Sequence, residues 1–211
     1  MSYAMNPSLK NPFLMIIAGP TNSGKTSFVQ MMINNRDKLF YPKIDEIIYC
    51  YTEWQSIYNE LLKSDNITFI EGLPQTEDFK FDRFRLIILD DLMDKLDDRV
   101  TRMFTKESHH RGISVVYITQ NLFSKNKEHR TISLNTQYIV LFKNPRDQSQ
   151  IVHLAKQMYP GNVNYMKDAY KKATSDPFGY LFIDLNQETS EEFRLRTNIF
   201  SEDSQIVFLP K

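Results

Sequence analysis

The run Phe13-Leu-Met-Ile-Ile-Ala18, followed at once by Gly19-Pro-Thr-Asn-Ser-Gly-Lys-Thr26, is the stretch whose reading decides the fold. An apolar, β-branched strand leads into a G-x-x-x-x-G-K-T loop, and helix-forming residues from Lys25 to Asn34 follow. A loop of this form offers its backbone N–H groups to phosphates. Its lysine reaches the β- and γ-phosphates, and its threonine hydroxyl ligates Mg²⁺. The start of the following helix adds a positive dipole end to the same site. The candidate nucleotide-binding residues are therefore Gly19, Pro20, Thr21, Asn22, Ser23, Gly24, Lys25, Thr26 and Ser27, with Thr26 also a metal ligand.

Working outward, short apolar runs alternate with amphipathic stretches, the pattern of an α/β fold with a mostly parallel sheet flanked by helices. Strands are expected at Glu46–Tyr51, Ile67–Ile70, Leu86–Asp90, Ile113–Ile118 and Tyr138–Phe142. Helices are expected near Trp54–Lys63, Lys95–Ser108, Asp147–Met158 and Asn164–Thr174. Further strands at Gly179–Asp184, Phe193–Ile199 and Ile206–Leu209 close the chain. The polar segments Gln75–Phe81 and Lys125–Arg130 read as loops. The expected organisation is one domain over residues 1–211: an N-terminal arm (1–12), a nucleotide-binding core (13–145), and C-terminal helices and strands that complete it (146–211).

Lys+Arg and Asp+Glu both number 26, so composition supplies no global attraction to nucleic acid. Any DNA contact must come from a local basic patch. The single Cys50 excludes an internal disulfide and reads as a small buried hydrophobe. The four histidines lack metal-ligand spacing, which argues against a zinc enzyme. No apolar run approaches a membrane span, and the first residues lack the pattern of a secretory signal. A soluble intracellular protein is the expectation.

Leu86-Ile-Ile-Leu-Asp90-Asp91 has Walker B form: a buried strand delivers a carboxylate beside the phosphate loop. Asp90 would hold Mg²⁺, directly or through water, and Asp91 would polarise the attacking water as general base. The competing reading makes Asp91 a cap on the next helix. The strand Ile113–Ile118 ends in Thr119-Gln120-Asn121, and ligands of parallel sheets sit at carboxyl ends of strands. Gln120 can there bond the γ-phosphate or orient water. The competing reading is a plain polar turn.

Phosphate loop, Asp-Asp strand and Thr-Gln strand, in this order and spacing, resemble the FtsK–HerA superfamily of DNA-pumping ATPases. The fuller match is His110-Arg-Gly-Ile-Ser-Val-Val-Tyr-Ile-Thr-Gln-Asn121, with Leu134-Asn-Thr-Gln-Tyr-Ile-Val-Leu-Phe-Lys-Asn-Pro-Arg-Asp147 and Leu195-Arg-Thr-Asn-Ile-Phe200 adding to it. These segments look most like the genome-packaging ATPases of eukaryotic DNA viruses and Polinton-type (adintovirus-like) elements. The resemblance implies a P-loop NTPase fold of the ASCE, RecA/FtsK-like kind, with the Gln-bearing strand between the P-loop strand and the Asp-Asp strand. It implies ATP and Mg²⁺ as cofactors and a homo-oligomeric ring, hexamer or pentamer, around double-stranded DNA. It also implies an arginine finger reaching a neighbour's site, for which Arg111 and Arg130 are the matching candidates. Either could instead touch DNA phosphates. Many members have Glu where Asp91 stands, one methylene longer.

Lys125, Lys127, His129 and Arg130 form a basic stretch that could track DNA phosphates without reading sequence; a solvated loop is the plainer reading. The expected function is an ATP-driven double-stranded DNA translocase that packages a viral genome into a capsid. Capsid or portal proteins are the expected partners, at virion-assembly sites in the nucleus or cytoplasm, with no membrane. At 211 residues, no sizeable nuclease domain is expected beside the motor. Another P-loop DNA motor or helicase remains an alternative. A nucleoside kinase is disfavoured by the Thr-Gln strand and the absence of an arginine-rich lid. A non-catalytic ATP-binding assembly protein is disfavoured by intact Lys25, Thr26 and Asp90.

Overall fold

The computed structural model describes residues 8–75, 82–92, 96–123, 127–201 and 205–210. Continuous apolar runs bury both faces of a strand, which suits parallel pairing under helices. The strands β1 (Leu9–Lys10), β2 (Leu14–Ala18), β3 (Phe40–Tyr41), β4 (Glu46–Tyr51), β5 (Ile67–Glu71), β6 (Arg85–Asp90), β7 (Ile113–Thr119) and β8 (Tyr138–Phe142) are followed by β9 (Tyr180–Asp184), β10 (Leu195–Thr197) and β11 (Ile206–Val207). Nine of them form one sheet in the order β11-β10-β9-β8-β2-β7-β6-β4-β5. From β8 to β5 all neighbours are parallel, whereas β9, β10 and β11 join antiparallel. This is the expected α/β architecture, with the Gln-bearing β7 between the P-loop strand and the Asp-Asp strand.

Two apolar layers cover the sheet. On one face, α1 (Lys25–Asn34), α2 (Arg36–Leu39) and α3 (Tyr58–Leu61) bury Phe28, Val29, Met32, Ile33, Leu39, Tyr58 and Leu61. On the other, α4 (Asp98–Arg102), α6 (Lys127–Asn135), α7 (Ser149–Met158) and α8 (Val163–Ala173) contribute Val100, Ile132, Leu154, Ala155, Met166 and Ala169. Between α4 and α5 (Ser108–Arg111) lies a π-helical stretch, Met103–Glu107. The helix expected over Lys95–Ser108 therefore runs three residues further among the described residues and widens mid-course, where Met103 and Phe104 are buried. Cys50 is buried in β4, and burial pushes its thiol up to about 12, as an inert hydrophobe requires.

Two expectations change. The helix near Trp54–Lys63 shrinks to Tyr58–Leu61, because the aromatic rings of Tyr51, Trp54, Tyr58 and Phe69 pack together and hold Glu53–Ser56 in a non-helical path. The polar loop expected at Lys125–Arg130 is, from Lys127 onward, the first turn of α6, which anchors itself through buried His129 and Ile132. Most of Gln75–Phe81, and Lys125, lie outside the described residues. The end of the N-terminal arm is tied down: Leu9–Lys10 pairs in parallel with Phe40–Tyr41, and Leu9 is buried. Among the described residues, no helix is long and apolar enough to cross a membrane.

The added strands are locked by a buried ion pair. Arg196 on β10 donates to Asp184 on β9 at 3.2 Å, and its guanidinium lies 5.0 Å from the centre of the Phe182 ring. Removing one partner of a buried pair strands the other charge. Asp184→Ala is expected to lower unfolding stability by about 3–5 kcal/mol, read as a fall in the urea midpoint.

Candidate nucleotide and metal site

The phosphate loop leaves β2 at Gly19, whose N–H donates to the Thr119 carbonyl at 3.2 Å and so ties the loop to β7. Two positions require glycine. A Cβ on Gly19 would come within 2.7 Å of Phe142 Cβ and Ser23 Oγ. Gly24 has φ +105°, and a Cβ there would press on Phe178 and Phe142. Gly24 is the N-cap of α1, so the first N–H groups of that helix are without intrahelical acceptors and aim into the loop's mouth. The Lys25 ammonium folds back on the loop and donates to the Gly19 and Pro20 carbonyls, each at 2.8 Å. Burial lowers its pKa, opposed by the charges of Asp90 and Asp91.

Register places the other groups beside this loop. Ala18 pairs with Thr119, and Asp90 pairs with Ile118. With strands spaced about 4.8 Å apart, Asp90 lies roughly 10 Å across the sheet from the start of the loop. Gln120 stands between them at the end of β7. The Asp90 carboxylate is buried, and its Oδ2 accepts from both Tyr49 Oη (2.7 Å) and Tyr58 Oη (2.9 Å). Burial raises its pKa; the two tyrosine hydrogen bonds and the Lys25 charge act the other way. Asp91 is exposed, with φ +54° at the strand end. Its carbonyl accepts from Thr52 Oγ1 at 2.8 Å. Gln120 is exposed, whereas the preceding Thr119 is buried.

Lys25, Thr26, Asp90, Asp91 and Gln120 all line one cleft of about 490 Å³, together with Ser27, Thr21, Asn22 and Gly24 of the loop, whereas Gly19, Pro20 and Ser23 do not line it. Backbone N–H groups, a helix start and an ammonium suit a polyanion. The Thr26 hydroxyl and the Asp90 carboxylate are hard oxygen donors that suit a small divalent cation such as Mg²⁺.

The remaining expected residues disperse. Arg111 ends α5 ahead of β7, and seven strand residues separate it from the cleft end. At about 3.3 Å per residue that is roughly 20 Å, at the opposite edge of the sheet. Arg130 and Lys127 are exposed on α6. His129 is not a surface partner for them: it is buried against the Tyr117 ring, and burial lowers its pKa. It cannot reach a DNA phosphate from there, which corrects its grouping with the basic residues. Tyr49, Tyr58, Gln55, Ser56, Ile57 and Phe178 also belong to the site but were not expected there. A signal existed for Tyr49 alone: a tyrosine inside a buried strand needs a partner for its hydroxyl.

No family profile matches the chain, and no curated protein matches it in sequence. Solved structures do match in fold. The genome packaging NTPase B204 from Sulfolobus turreted icosahedral virus 2, in complex with sulfate, superposes with a TM-score of 0.57 at 11% identity, covering 86% of this chain and 95% of that one. The same NTPase in complex with ATP-gammaS gives a TM-score of 0.50 at 13% identity, covering 88% and 96%. At these identities the likeness is one of fold.

The buried carboxylate sets a pH dependence. Because the folded pKa of Asp90 is raised, the native state binds more protons than the unfolded chain, and stability falls as pH rises from the unfolded toward the folded pKa. Asp90→Asn removes that charge while keeping an acceptor for both tyrosines. Without nucleotide or divalent cation, the variant should melt above the parent at neutral pH. The gain should vanish once pH falls below the ordinary aspartate range. Melting curves across pH check this; a variant that melts lower at pH 7 would contradict it.

Proposed function

We propose that this chain is the ATP-hydrolysing subunit of a motor that moves double-stranded DNA into a viral or virus-like capsid, of the FtsK–HerA kind. The observation that carries the reading is the convergence of Lys25, Thr26, Asp90, Asp91 and Gln120 on one cleft at the carboxyl ends of three adjacent strands, β2, β7 and β6. The fold shared with viral packaging NTPases supports it. The segments His110–Asn121 and Leu134–Asp147 carry the narrower resemblance to eukaryotic-virus and Polinton-type packaging ATPases.

In this reading the loop N–H groups and Lys25 hold the phosphates, Lys25 exchanging its two carbonyl acceptors for phosphate oxygens. Thr26 and Asp90 hold Mg²⁺, which when bound neutralises charge developing on the phosphates. Tyr49 and Tyr58 hold one carboxylate oxygen of Asp90 and so orient the other. Asp91, exposed beside it, takes the proton of the attacking water, and Gln120 orients that water. The finger is Arg130 rather than Arg111, because Arg130 is exposed on the helix that follows the Gln120 segment, whereas Arg111 is half-buried at the far edge. It acts in a neighbouring subunit of a hexameric or pentameric ring. Lys125 and Lys127 serve as DNA-phosphate contacts, and capsid or portal proteins dock on the ring.

Purified protein should hydrolyse ATP, faster with double-stranded DNA; phosphorylation of a nucleoside without a DNA effect would sink the motor reading. Lys25→Ala should abolish nucleotide binding or turnover. Asp91→Asn should keep ATP binding and lose about 10²–10⁴ in turnover, the usual worth of a positioned base. Mixing Arg130→Ala subunits with Lys25→Ala subunits should recover activity that neither has alone, and no recovery would remove Arg130 from the finger role.

A further inference from the structure

Phe178 stands at the end of the cleft remote from Asp90. It lines the cleft and is 69% exposed, unusual for a phenyl ring in so well-packed a chain. Its backbone has φ +62°, a region that bulky side chains seldom occupy and that is retained where the surroundings enforce it. The enforcement is visible in the turn between α8 and β9. Thr174 Oγ1 donates to the Tyr170 carbonyl at 2.8 Å, Ser175 N–H to the Lys172 carbonyl at 3.3 Å, and Gly179 N–H to the Asp176 carbonyl at 3.1 Å. A Cβ on Gly179 would sit 2.5 Å from the Ala173 carbonyl, so the turn has no slack. The ring leans on the phosphate loop: a Cβ built on Gly24 would lie 3.2 Å from Phe178 Cδ1. A strained, rigid turn thus presents an apolar face to water beside the phosphate cradle.

The sheet order gives that face a direction. Asp90 ends β6, two strands from β2 on one side, and Phe178 precedes β9, two strands from β2 on the other. β9 is antiparallel and begins opposite Phe142, at the same edge where β2 and β8 end. A nucleoside triphosphate whose terminal phosphate lies between Lys25, Asp90 and Gln120 directs its base toward the β8–β9 side. We propose that Phe178 is the platform on which the nucleobase stacks, an inference that rests on the nucleotide-binding reading above. Stacking uses the flat face of the base and forms no hydrogen bond to its edge, so the ring gives affinity without choosing among bases.

The test is to measure binding of ATP, ADP and inorganic tripolyphosphate, each with Mg²⁺, to the parent, Phe178→Gly and Phe178→Trp. Phe178→Gly should bind ATP and ADP about tenfold more weakly, within the usual worth of one base–aromatic stack. Tripolyphosphate binding should not change. Its melting temperature should hold or rise, since glycine relieves the positive φ. Phe178→Trp should keep ATP affinity and show fluorescence quenching by ATP but not by tripolyphosphate, over the signal of the sole native tryptophan, Trp54. Equal losses for ATP and tripolyphosphate would mean that the ring only props the loop, and unchanged ATP affinity would mean that no base lies there; either overturns the inference while the nucleotide-binding reading stands. A parent protein that binds neither ATP nor tripolyphosphate would fail that reading itself.

Discussion

A carboxylate at the end of a strand buried on both faces is the constraint on which the rest of this structure depends. Asp90 is 4% exposed, and an ionised group so placed is costly unless it is bonded and faced by opposite charge. Tyr49 reaches it from β4 and Tyr58 from α3, so two separate elements meet on one oxygen. Lys25 faces it from the phosphate loop and suffers the same desolvation with the opposite sign. The Lys25 ammonium is meanwhile held by two loop carbonyls. Each charge is satisfied by neutral groups that a phosphate or a cation could replace or supplement. The site therefore stays folded while its ammonium and helix start keep a chemistry that suits a polyanion.

Strand order turns that local chemistry into a device that other elements can sense. The phosphate loop, Gln120 and Asp90 end three neighbouring strands held in fixed register by the ladder between β2, β7 and β6. The segment 52–58 touches the same site twice, through Thr52 on the Asp91 carbonyl and Tyr58 on the Asp90 carboxylate. A change in occupancy at Asp90 would thus be felt by an aromatic cluster of Tyr51, Trp54, Tyr58 and Phe69 at the sheet's outer side. The buried core beneath is close-packed and resists continuous deformation.

Most of the sheet was legible in the sequence because its strands are short apolar runs bounded by polar residues, and Glu46–Tyr51 and Tyr138–Phe142 match to the residue. The phosphate loop and the Asp-Asp ending were legible because their chemistry demands fixed residue types at fixed spacing. What was not legible depends on long-range contact. Tyr49 and Tyr58 read as core aromatics until the fold brings both hydroxyls to one carboxylate. The helix near Trp54 lost most of its length to ring packing against Phe69, which no local propensity encodes. His129 looked like part of a basic surface, yet the first turn of α6 rolls it inward beside Tyr117. Phe178 follows a proline in a polar segment and carries no motif.

The charge balance of the cleft supplies the last step. Lys25 is the only Lys or Arg among the described residues that line it, and it faces two carboxylates. A triphosphate adds more negative charge than one ammonium and one divalent cation offset. Among the described residues that line the cleft, charge that develops on the transferred phosphoryl group during cleavage meets no cation besides Lys25, and Arg111 lies at the far edge of the sheet. A guanidinium that closed over the cleft and expelled its water would be worth far more there than on an open surface. Under the proposed reading, a neighbour's guanidinium supplies that charge, which would make assembly a condition of efficient turnover.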